Sequence, residues 1–204
     1  MTYAYYPGCS LKGTAIDYHT STMVLAERLG IELTEMEDWV CCGASPIHQR
    51  NPALASGVAN LLLSLSEGIS KDVAVLCAAC YHNMKKAEEE MRKDGELRVD
   101  VEQVSGVRFD PGKRTRHLLE ILANDYGLET LGGKVTKPLM GLKVACYYGC
   151  LITRPAQATG AEHPEYPTKM DAVLRALGAE PIDWSYKTDC CGGALSLTQT
   201  PLAL

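Results

Sequence analysis

The chain has 204 residues, of which 46% are hydrophobic and 22% charged, and its formal net charge is -5. This length and apolar content allow one domain or two small ones with a buried core, and they exclude collagenous, low-complexity and disordered chains. The acidic balance and the scattered Lys and Arg residues argue against a nucleic-acid-binding surface. No signal-peptide pattern and no long apolar run occur in the sequence. We therefore expect neither secretion nor a membrane span, but a cytoplasmic protein.

Strands and helices alternate in the first part of the chain. In chain order, the predicted elements are a short strand before Cys9, a helix at about 15–29, a strand at 31–36, a helix at about 52–67, a strand at 72–77, and a helix that begins near Cys80. Gly30 stands where a glycine commonly ends a helix. This alternation predicts an α/β domain with a mostly parallel sheet.

The pattern begins again after residue 140. Residues 114–127 read as one more helix and residues 132–141 as a linker, and then a strand is predicted at 142–150 and a helix at about 168–177. The strand of each copy ends in a Tyr-Tyr pair shortly before a cysteine. Such an internal repeat suits a duplicated α/β unit. We therefore expect one domain at 1–135 and a second at 136–204.

Nine cysteines form the most distinctive feature of the sequence. In a reducing cytoplasm, cysteines serve more often as metal ligands or redox groups than as disulfides. The first copy contains Cys9, then Cys41 and Cys42, then Cys77 and Cys80. Each follows a predicted strand, and the carboxyl ends of parallel strands lie on one edge of the sheet. We therefore expect five thiols to converge there.

Five thiols exceed what the common metal sites require. Zinc takes four ligands, as do regular iron-sulfur clusters. Five thiolates could serve one iron-sulfur centre if some of them bridge two irons, which implies an irregular cluster. A thioredoxin-like redox pair at Cys77 and Cys80 is an alternative, but it leaves Cys9 and the Cys-Cys pair without a role. A single free cysteine is commonly a small core residue. Gly43 and Gly192, which follow the two Cys-Cys pairs, suit a backbone that passes close to a cluster.

Five stretches carry a resemblance to a known family: "YAYYPGCSLKGTA", "EDWVCCGAS", "CAACY", "GLKVACYYGCL" and "DWSYKTDCCGGALSLT". Together they resemble the CCG domain in the B-type subunit of heterodisulfide reductase, particularly the bacterial proteins of that type. The resemblance extends over almost the whole chain. It implies an α/β fold of two related Rossmann-like CCG units with mostly parallel sheets, of which the second is incomplete.

The resemblance also implies the ligands of two noncubane 4Fe-4S clusters. The first would be held by Cys9, Cys41, Cys42, Cys77 and Cys80, and the second would use Cys150, Cys190 and Cys191. The second copy has no closing Cys-x-x-Cys, which leads us to expect a C-terminally truncated chain. If the protein ends here, the second cluster would be missing, altered or completed by another subunit. Cys146 has no ligand role in the family pattern, and either a buried cysteine or a substitute ligand fits it.

In that family the two clusters reduce a disulfide in one-electron steps. The implied protein is the catalytic iron-sulfur subunit of a multi-subunit oxidoreductase that acts on a disulfide, a persulfide or a protein thiol carrier. Its implied partners are a ferredoxin-type protein with 4Fe-4S clusters, like the family's C-type subunit, and a flavoprotein, like its A-type subunit. The alternative is an electron-transfer or anchoring CCG subunit of a succinate-, glycerol-3-phosphate- or lactate-oxidising complex. A zinc-stabilised interaction module is a third interpretation.

Protons for the departing thiolates would come from side chains close to the cysteines. The sequence offers four candidates for this catalytic role, namely His48, His82, Tyr147 and Tyr148. Each of them fits an ordinary packing or supporting role equally well.

Overall fold

A computed structural model describes residues 1–44, 51–195 and 199–203. The chain divides into two compact units, Met1–Ile121 and Leu122–Leu204. Helices alternate with parallel strands in both of them, which confirms the α/β class.

The first unit contains a parallel four-stranded sheet within the described residues. Its order is β2-β1-β3-β4. The elements in chain order are β1 (Thr2–Tyr6), α1 (Gly8–Leu11), α2 (Ile16–Leu29), β2 (Glu32–Glu35), α3 (Pro52–Ser64), β3 (Asp72–Val75), α4 (Ala78–Lys93), α5 (Gly95–Ser105), β4 (Arg114–His117) and α6 (Leu118–Glu120).

The apolar composition of the strands explains their order in the sheet. Residues 4–6 of β1 and 73–75 of β3 have no exposed surface. Strands that are covered on both faces read as continuous apolar runs and occupy the centre of a parallel sheet. β2, whose sequence is ELTE, is largely exposed and pairs with β1 alone. The sheet therefore places β1 and β3 side by side, with β2 on its outer edge.

Capping residues set the ends of the helices. Asn51 accepts a hydrogen bond from the N–H of Leu54 at 3.1 Å, and Pro52 begins α3. Asp94 accepts from two N–H groups in the first turn of α5. These side chains satisfy donors that have no partner inside the helix. At the other end, α2 stops at Gly30 in the left-handed conformation, as the sequence predicted.

Helices α3, α4 and α5 pack against one another over a core that includes Leu62, Met84 and Met91. One charged residue, Glu88, lies fully buried in this core. Its carboxylate accepts the N–H of Thr115 at 2.7 Å and lies near Arg92 and Lys85. Burial raises the pKa of Glu88, although these partners oppose the shift.

The segment at 114–127 differs from its prediction as a single helix. Arg114–His117 forms strand β4, which pairs with β3 over its whole length. The Arg114 guanidinium contacts the Asp72 carboxylate through two hydrogen bonds of 2.8 and 3.0 Å. Helical structure begins only at Leu118, with a π-helical stretch at Ile121–Gly127. The local sequence favoured a helix, and pairing with a distant strand overrode that preference.

The second unit contains fewer residues in helices and strands than the first. Its elements in chain order are α7 (Leu128–Gly133), β5 (Lys143–Val144), α8 (Ala156–Thr159), α9 (Lys169–Ala176), β6 (Glu180–Pro181), a 3₁₀ turn (Gly193–Leu195) and α10 (Thr200–Ala203). β5 and β6 are parallel. The predicted strand at 142–150 is thus regular over two residues only, and the chain continues from it as a loop to Cys150.

Equivalent main-chain hydrogen bonds occur within each of the two units. Where α2 ends, the N–H of Ile31 donates to the carbonyl of Ala26 at 2.9 Å, and where α9 ends, the N–H of Ala179 donates to that of Leu174 at 3.0 Å. Both helices are followed by a glycine with positive φ. These shared bonds support the internal repeat that the sequence indicated.

Among the residues that the model describes, no helix is both long and apolar enough to cross a membrane.

Candidate metal centre

The cysteines of the first unit lie at the carboxyl ends of its strands. Cys9 follows β1, the Cys41-Cys42 pair follows the β2 strand, and Cys77 follows β3. From β1 the chain passes to β2 on one side and then crosses to β3 on the other. Such a reversal of direction opens a crevice at the strand ends, where α/β proteins bind ligands. The topology thus brings the cysteine loops to the place in this fold that is best suited to a cofactor.

Short sulfur-to-sulfur distances show that these loops converge. The Sγ atoms of Cys42 and Cys80 are 3.2 Å apart, and those of Cys41 and Cys9 are 3.9 Å apart. Cys77 also forms a side-chain hydrogen bond with Cys80. Gly8 lies so close that a Cβ atom there would be 3.2 Å from the Cys80 sulfur. Each of the five thiols of the first copy therefore contacts at least one other, in two groups: Cys9 with Cys41, and Cys80 with Cys42 and Cys77.

Hydrogen bonds shift the pKa values of Cys42, Cys77 and Cys80 in opposite directions. Bonds from Cys80, from the first N–H groups of α4 and from Ser10 lower the pKa of Cys77 to about 5. Cys80, the N–H of Ala44 and Asn83 lower the pKa of Cys42 to about 7. The pKa of Cys80 rises because it donates to both neighbours and is buried. Thiolates are the form that binds metals, so this loop geometry favours metal binding.

One of the two sulfur-to-sulfur distances matches that of thiolates bound to a single metal ion. Two thiolates on one tetrahedral metal with bonds of ~2.3 Å lie about 3.8 Å apart. The 3.9 Å separation of Cys9 and Cys41 matches this distance. The 3.2 Å separation of Cys42 and Cys80 is that of a thiol–thiolate hydrogen bond and must lengthen when Cys80 loses its proton. Across the described residues, no three Cys, His, Asp or Glu side chains are arranged around a single metal ion.

The second unit brings its three motif cysteines together in a similar way. Cys150 hydrogen-bonds with Cys190 through the side chains and lies near Cys191. The N–H groups of Gly192 and Gly193 point to the sulfurs of Cys190 and Cys191, each at 3.4 Å. In the first unit, Gly43 and Ala44 make the corresponding contacts to Cys41 and Cys42. Both Cys-Cys-Gly loops therefore direct main-chain N–H groups at their sulfurs, as cluster sites commonly do.

Cys146 lies away from this arrangement. It is 1% exposed. The strand registers of the two units match, and they make Cys146 equivalent in position to Tyr5 of the first unit, which is 0% exposed. Burial and the nearby Asp171 carboxylate raise the pKa of Cys146 to about 11. The Cys146 thiol is therefore a protonated core side chain.

The four candidate proton donors occupy different settings. His48 lies outside the described residues. His82 is half-buried in the first turns of α4. Tyr147 donates its hydroxyl to the carbonyl of Asp189 at 2.6 Å, and Tyr148 donates to the Asp171 carboxylate at 2.6 Å. Burial and the Asp171 bond raise the pKa of Tyr148. A role in proton transfer stays a prediction for all four.

Sequence reasoning missed several residues that support the loops. Asn83 lies one helical turn after Cys80 and directs its amide to the carbonyl and sulfur of Cys42. The only sequence signal for this role of Asn83 is its position three residues after Cys80 in the predicted helix. In the second unit, Lys187 and Asp171 form an ion pair of 2.7 Å and are 1% and 2% exposed. A charged pair buried beside the cysteine loops has no local sequence signal.

Comparisons with known proteins agree with the resemblance found in the sequence. A family model described as a cysteine-rich domain, CCG, matches residues 3–85 and 144–202. A membrane anchor subunit of 8-methylmenaquinol:fumarate reductase from Wolinella succinogenes is 35% identical over 93% of this chain and 66% of its own length. The B-type subunit of a ferredoxin:CoB-CoM heterodisulfide reductase from Methanosarcina mazei is 29% identical over 91% and 63%, respectively. A protein from Archaeoglobus profundus that is named for its likeness to the same B-type subunit is 29% identical over 97% and 69%.

These relatives are subunits of reductases or resemble such subunits, which confirms the likeness to the B-type subunit of heterodisulfide reductase. The chain spans just under two thirds of the length of the first two. The family model matches one segment in each compact unit, and the two segments cover well over half of the chain. The chain belongs to the CCG family of cysteine-rich domains.

Proposed function

We propose that the first unit binds one noncubane 4Fe-4S cluster through Cys9, Cys41, Cys42, Cys77 and Cys80. The observation that carries this proposal is the convergence of their sulfurs at the strand ends, with pairs at 3.2 and 3.9 Å. Lowered thiol pKa values at Cys42 and Cys77 support it, because cluster ligands bind as thiolates. Gly8 suits the site because it has no side chain beside the Cys80 sulfur, where a Cβ atom would lie at 3.2 Å.

The second unit supplies part of a matching site. We propose that Cys150, Cys190 and Cys191 contribute to a second cluster whose remaining thiolates come from a closing Cys-x-x-Cys or from another subunit. The proposal rests on the shared contacts of the two Cys-Cys-Gly loops. In domain terms, residues 1–135 would form the complete CCG domain and residues 136–204 the one that lacks its closing motif.

The proposed reaction is the reduction of a disulfide, a persulfide or a related sulfur substrate by this chain as the catalytic part of an oxidoreductase complex. Cleaving RS–SR to two thiols consumes two electrons and two protons. When bound, clusters of this kind supply the electrons one at a time and offer iron as a ligand for sulfur. The chain itself would hold its cysteines as thiolates and keep proton donors near, with His48, His82, Tyr147 and Tyr148 as the candidates.

We further propose that electrons reach this chain from other subunits. The partners suggested by heterodisulfide reductases are a ferredoxin-type protein with 4Fe-4S clusters, of the C-type, and a flavoprotein of the A-type. None of the nine cysteines, all of which the structure describes, is paired in a disulfide. Free thiols in this number suit the reducing cytoplasm, where we propose that the protein works.

A second candidate function has an observation of its own. The fumarate reductase membrane anchor subunit shares 35% identity with the chain, more than the 29% of the heterodisulfide reductase relative. We therefore keep an electron-transfer or anchoring subunit of a complex that acts on another substrate as the alternative. In that case the same cysteines would hold a cluster that transfers electrons without binding sulfur from a substrate.

Metal analysis tests the cluster. Iron and acid-labile sulfide are measured in the anaerobically reconstituted chain, in Cys42→Ser and in Cys146→Ser as the matched control. We expect about equal amounts of iron and sulfide in the wild-type chain and in the control, and a large loss of both in Cys42→Ser. Zinc without sulfide, or equal losses in the two variants, would refute the site.

A spectroscopic titration separates catalysis from electron transfer. The EPR spectrum of the oxidised protein is recorded with and without thiols and disulfides of different charge. A catalytic protein of this kind binds substrate sulfur at the cluster, so we expect its spectrum to change with at least one of them. A spectrum that none of them alters favours the electron-transfer alternative.

A further inference from the structure

Each Cys-Cys-Gly loop receives a hydrogen bond from a tyrosine at an equivalent position. Tyr6 precedes Cys9 by three residues and donates its hydroxyl to the carbonyl of Val40 at 2.8 Å. Tyr147 precedes Cys150 by three residues and donates to the carbonyl of Asp189 at 2.6 Å. Both carbonyls belong to the residue immediately before the Cys-Cys pair. Two copies of one unit thus make the same long-range contact.

From this coincidence we propose that Tyr6 and Tyr147 are positioning residues that hold each Cys-Cys pair opposite the first cysteine of its copy. Each tyrosine lies three residues before the first cysteine, and the accepting carbonyl adjoins the Cys-Cys pair. One hydrogen bond therefore ties the segment of the first cysteine to the Cys-Cys-Gly loop. Neither Cys-Cys-Gly loop forms regular structure at its cysteines, so its carbonyls lack the partners that a strand or helix would supply.

Aromatic contacts keep both rings in place. Trp39 meets the Tyr6 ring edge-on at a centroid distance of 5.6 Å, and Trp184 meets the Tyr147 ring at 6.2 Å. In the first unit the Tyr6 oxygen also interacts with the N–H of Cys42, so it bridges the backbone on both sides of Cys41. The hydroxyl protons of both tyrosines are engaged by backbone carbonyls. The bond to Asp189 thus gives Tyr147 a positioning role.

We call Tyr6 and Tyr147 the clamp tyrosines, and each of them has a matched control in its own unit. Tyr5 neighbours Tyr6 in β1 and shares its complete burial, but its hydroxyl hydrogen-bonds with His19 at 2.8 Å. Tyr166 is 44% exposed, close to the 43% of Tyr147, and its hydroxyl donates to Asp183 at 2.9 Å. Changing each tyrosine to Phe removes one hydroxyl and keeps the ring. Only the clamp variants lose a bond to a Cys-Cys-Gly loop.

The first test needs no cofactor. Amide hydrogen exchange is measured on the reduced, metal-free chain in the segments that contain residues 40–44 and 189–193. We expect Tyr6→Phe and Tyr147→Phe to speed exchange about threefold to tenfold in their own segment, the effect of losing one hydrogen bond. Tyr5→Phe and Tyr166→Phe should leave both segments unchanged. Equal exchange in clamp and control variants would overturn the proposal.

A second test rests on the proposed cluster. Its readout is the set of EPR g-values, which report the geometry of the cluster and not the overall stability of the fold. The EPR spectrum of the reconstituted chain should change its g-values in Tyr6→Phe and keep them in Tyr5→Phe. If the wild-type chain binds no iron while the exchange difference holds, the proposed function fails and the clamp stands. If iron binds and the two variants have identical spectra and exchange rates, the clamp fails and the proposed function stands.

Discussion

The two units hold equivalent cysteine loops by different means. In the first, Cys9 follows Pro7 and Gly8 at the end of a central strand, and the strand is covered by an apolar core. In the second, Tyr148 takes the position of Pro7, and the strand before it is regular over two residues only. A buried polar network lies beside the cysteine loops there.

That network links the two cysteine loops of the second unit. Tyr148 donates to the Asp171 carboxylate, which also pairs with Lys187 at 2.7 Å. The main-chain carbonyl of Lys187 accepts the N–H groups of Tyr148 and Gly149 at 2.8 and 3.1 Å. Lys187 thus joins the loop before Cys150 to the loop before Cys190. The comparison teaches that one thiol arrangement can be supported by apolar burial or by a satisfied ion pair.

The largest expected difference between the units is in iron binding. Because all five family ligands of the first copy lie in this chain, Cys9→Ser should reduce the iron of the reconstituted chain to near background. Cys150→Ser removes one of three ligands from the partial site and should leave most of the iron in place. Iron and sulfide per chain are the measurement. A larger loss in Cys150→Ser would reverse the assignment of the complete site.

The buried ion pair should dominate the stability of the second unit. Lys187→Met leaves the Asp171 carboxylate buried without its cation, which costs about 3–5 kcal/mol. The chain has two tryptophans, Trp39 in the first unit and Trp184 in the second. Urea unfolding followed by fluorescence in a Trp39→Phe background therefore reports the second unit.

Lys143→Met, at an exposed lysine of the same unit, is the control and should shift the midpoint little. The double variant Asp171→Leu with Lys187→Met should recover part of the lost free energy, because no charge is then left buried alone. If Lys187→Met lowers the free energy of unfolding no more than Lys143→Met does, the buried polar network does not stabilise the second unit.

Substitution by alanine should lower the free energy of unfolding by different amounts at two equivalent glycines. Gly30 and Gly178 both end a helix with positive φ, at 68° and 88°. A Cβ atom at Gly30 would meet nothing within 4 Å, whereas one at Gly178 would lie 2.9 Å from the Pro138 Cβ atom. Gly30→Ala should cost about 1–2 kcal/mol from the backbone conformation alone.

Gly178→Ala should cost more than Gly30→Ala, because the steric contact adds to the same backbone cost. Unfolding midpoints with the tryptophan reporter of each unit provide the comparison. Equal losses of unfolding free energy in the two variants would indicate that Pro138 shifts to accommodate the added methyl group.

The smallest expected effect is an opposite pH dependence of the two units. Burial favours the protonated form of Glu88 and raises its pKa, so its contribution to stability falls as pH rises above about 4.3, the value in an unfolded chain. Burial also acts on Asp171, but hydrogen bonds from Lys187 and Tyr148 lower its pKa overall. The contribution of Asp171 is therefore present above about pH 3.9 and is lost as pH falls further.

Urea unfolding between pH 3 and 6, followed through each tryptophan, separates the two contributions. Glu88→Gln should remove the dependence from the first unit, and Asp171→Asn should remove that of the second. The same slope in both units, or a slope that these changes leave intact, would contradict the assignment.

Much of the site was predictable because its signal is local. Cysteines that follow predicted strands, and glycines that follow Cys-Cys pairs, are visible in the sequence, and parallel pairing brings them to one edge. β4 was not predictable, because Arg114–His117 becomes a strand only by pairing with β3. The support from Asn83, Lys187 and Asp171 also depends on side chains that meet across the fold.

The α/β class, the internal repeat and the family can be read from the amino-acid order alone, since they depend on periodicity and on the spacing of cysteines along the chain. Three features emerge only in the folded chain: Cys146 is a core residue, an ion pair is buried beside the second cysteine loop, and Tyr6 and Tyr147 contact equivalent carbonyls. They emerge there because burial and hydrogen bonding are properties of atoms brought together from distant parts of the chain. Such contacts exist only after the strands have paired and the loops at their ends have met.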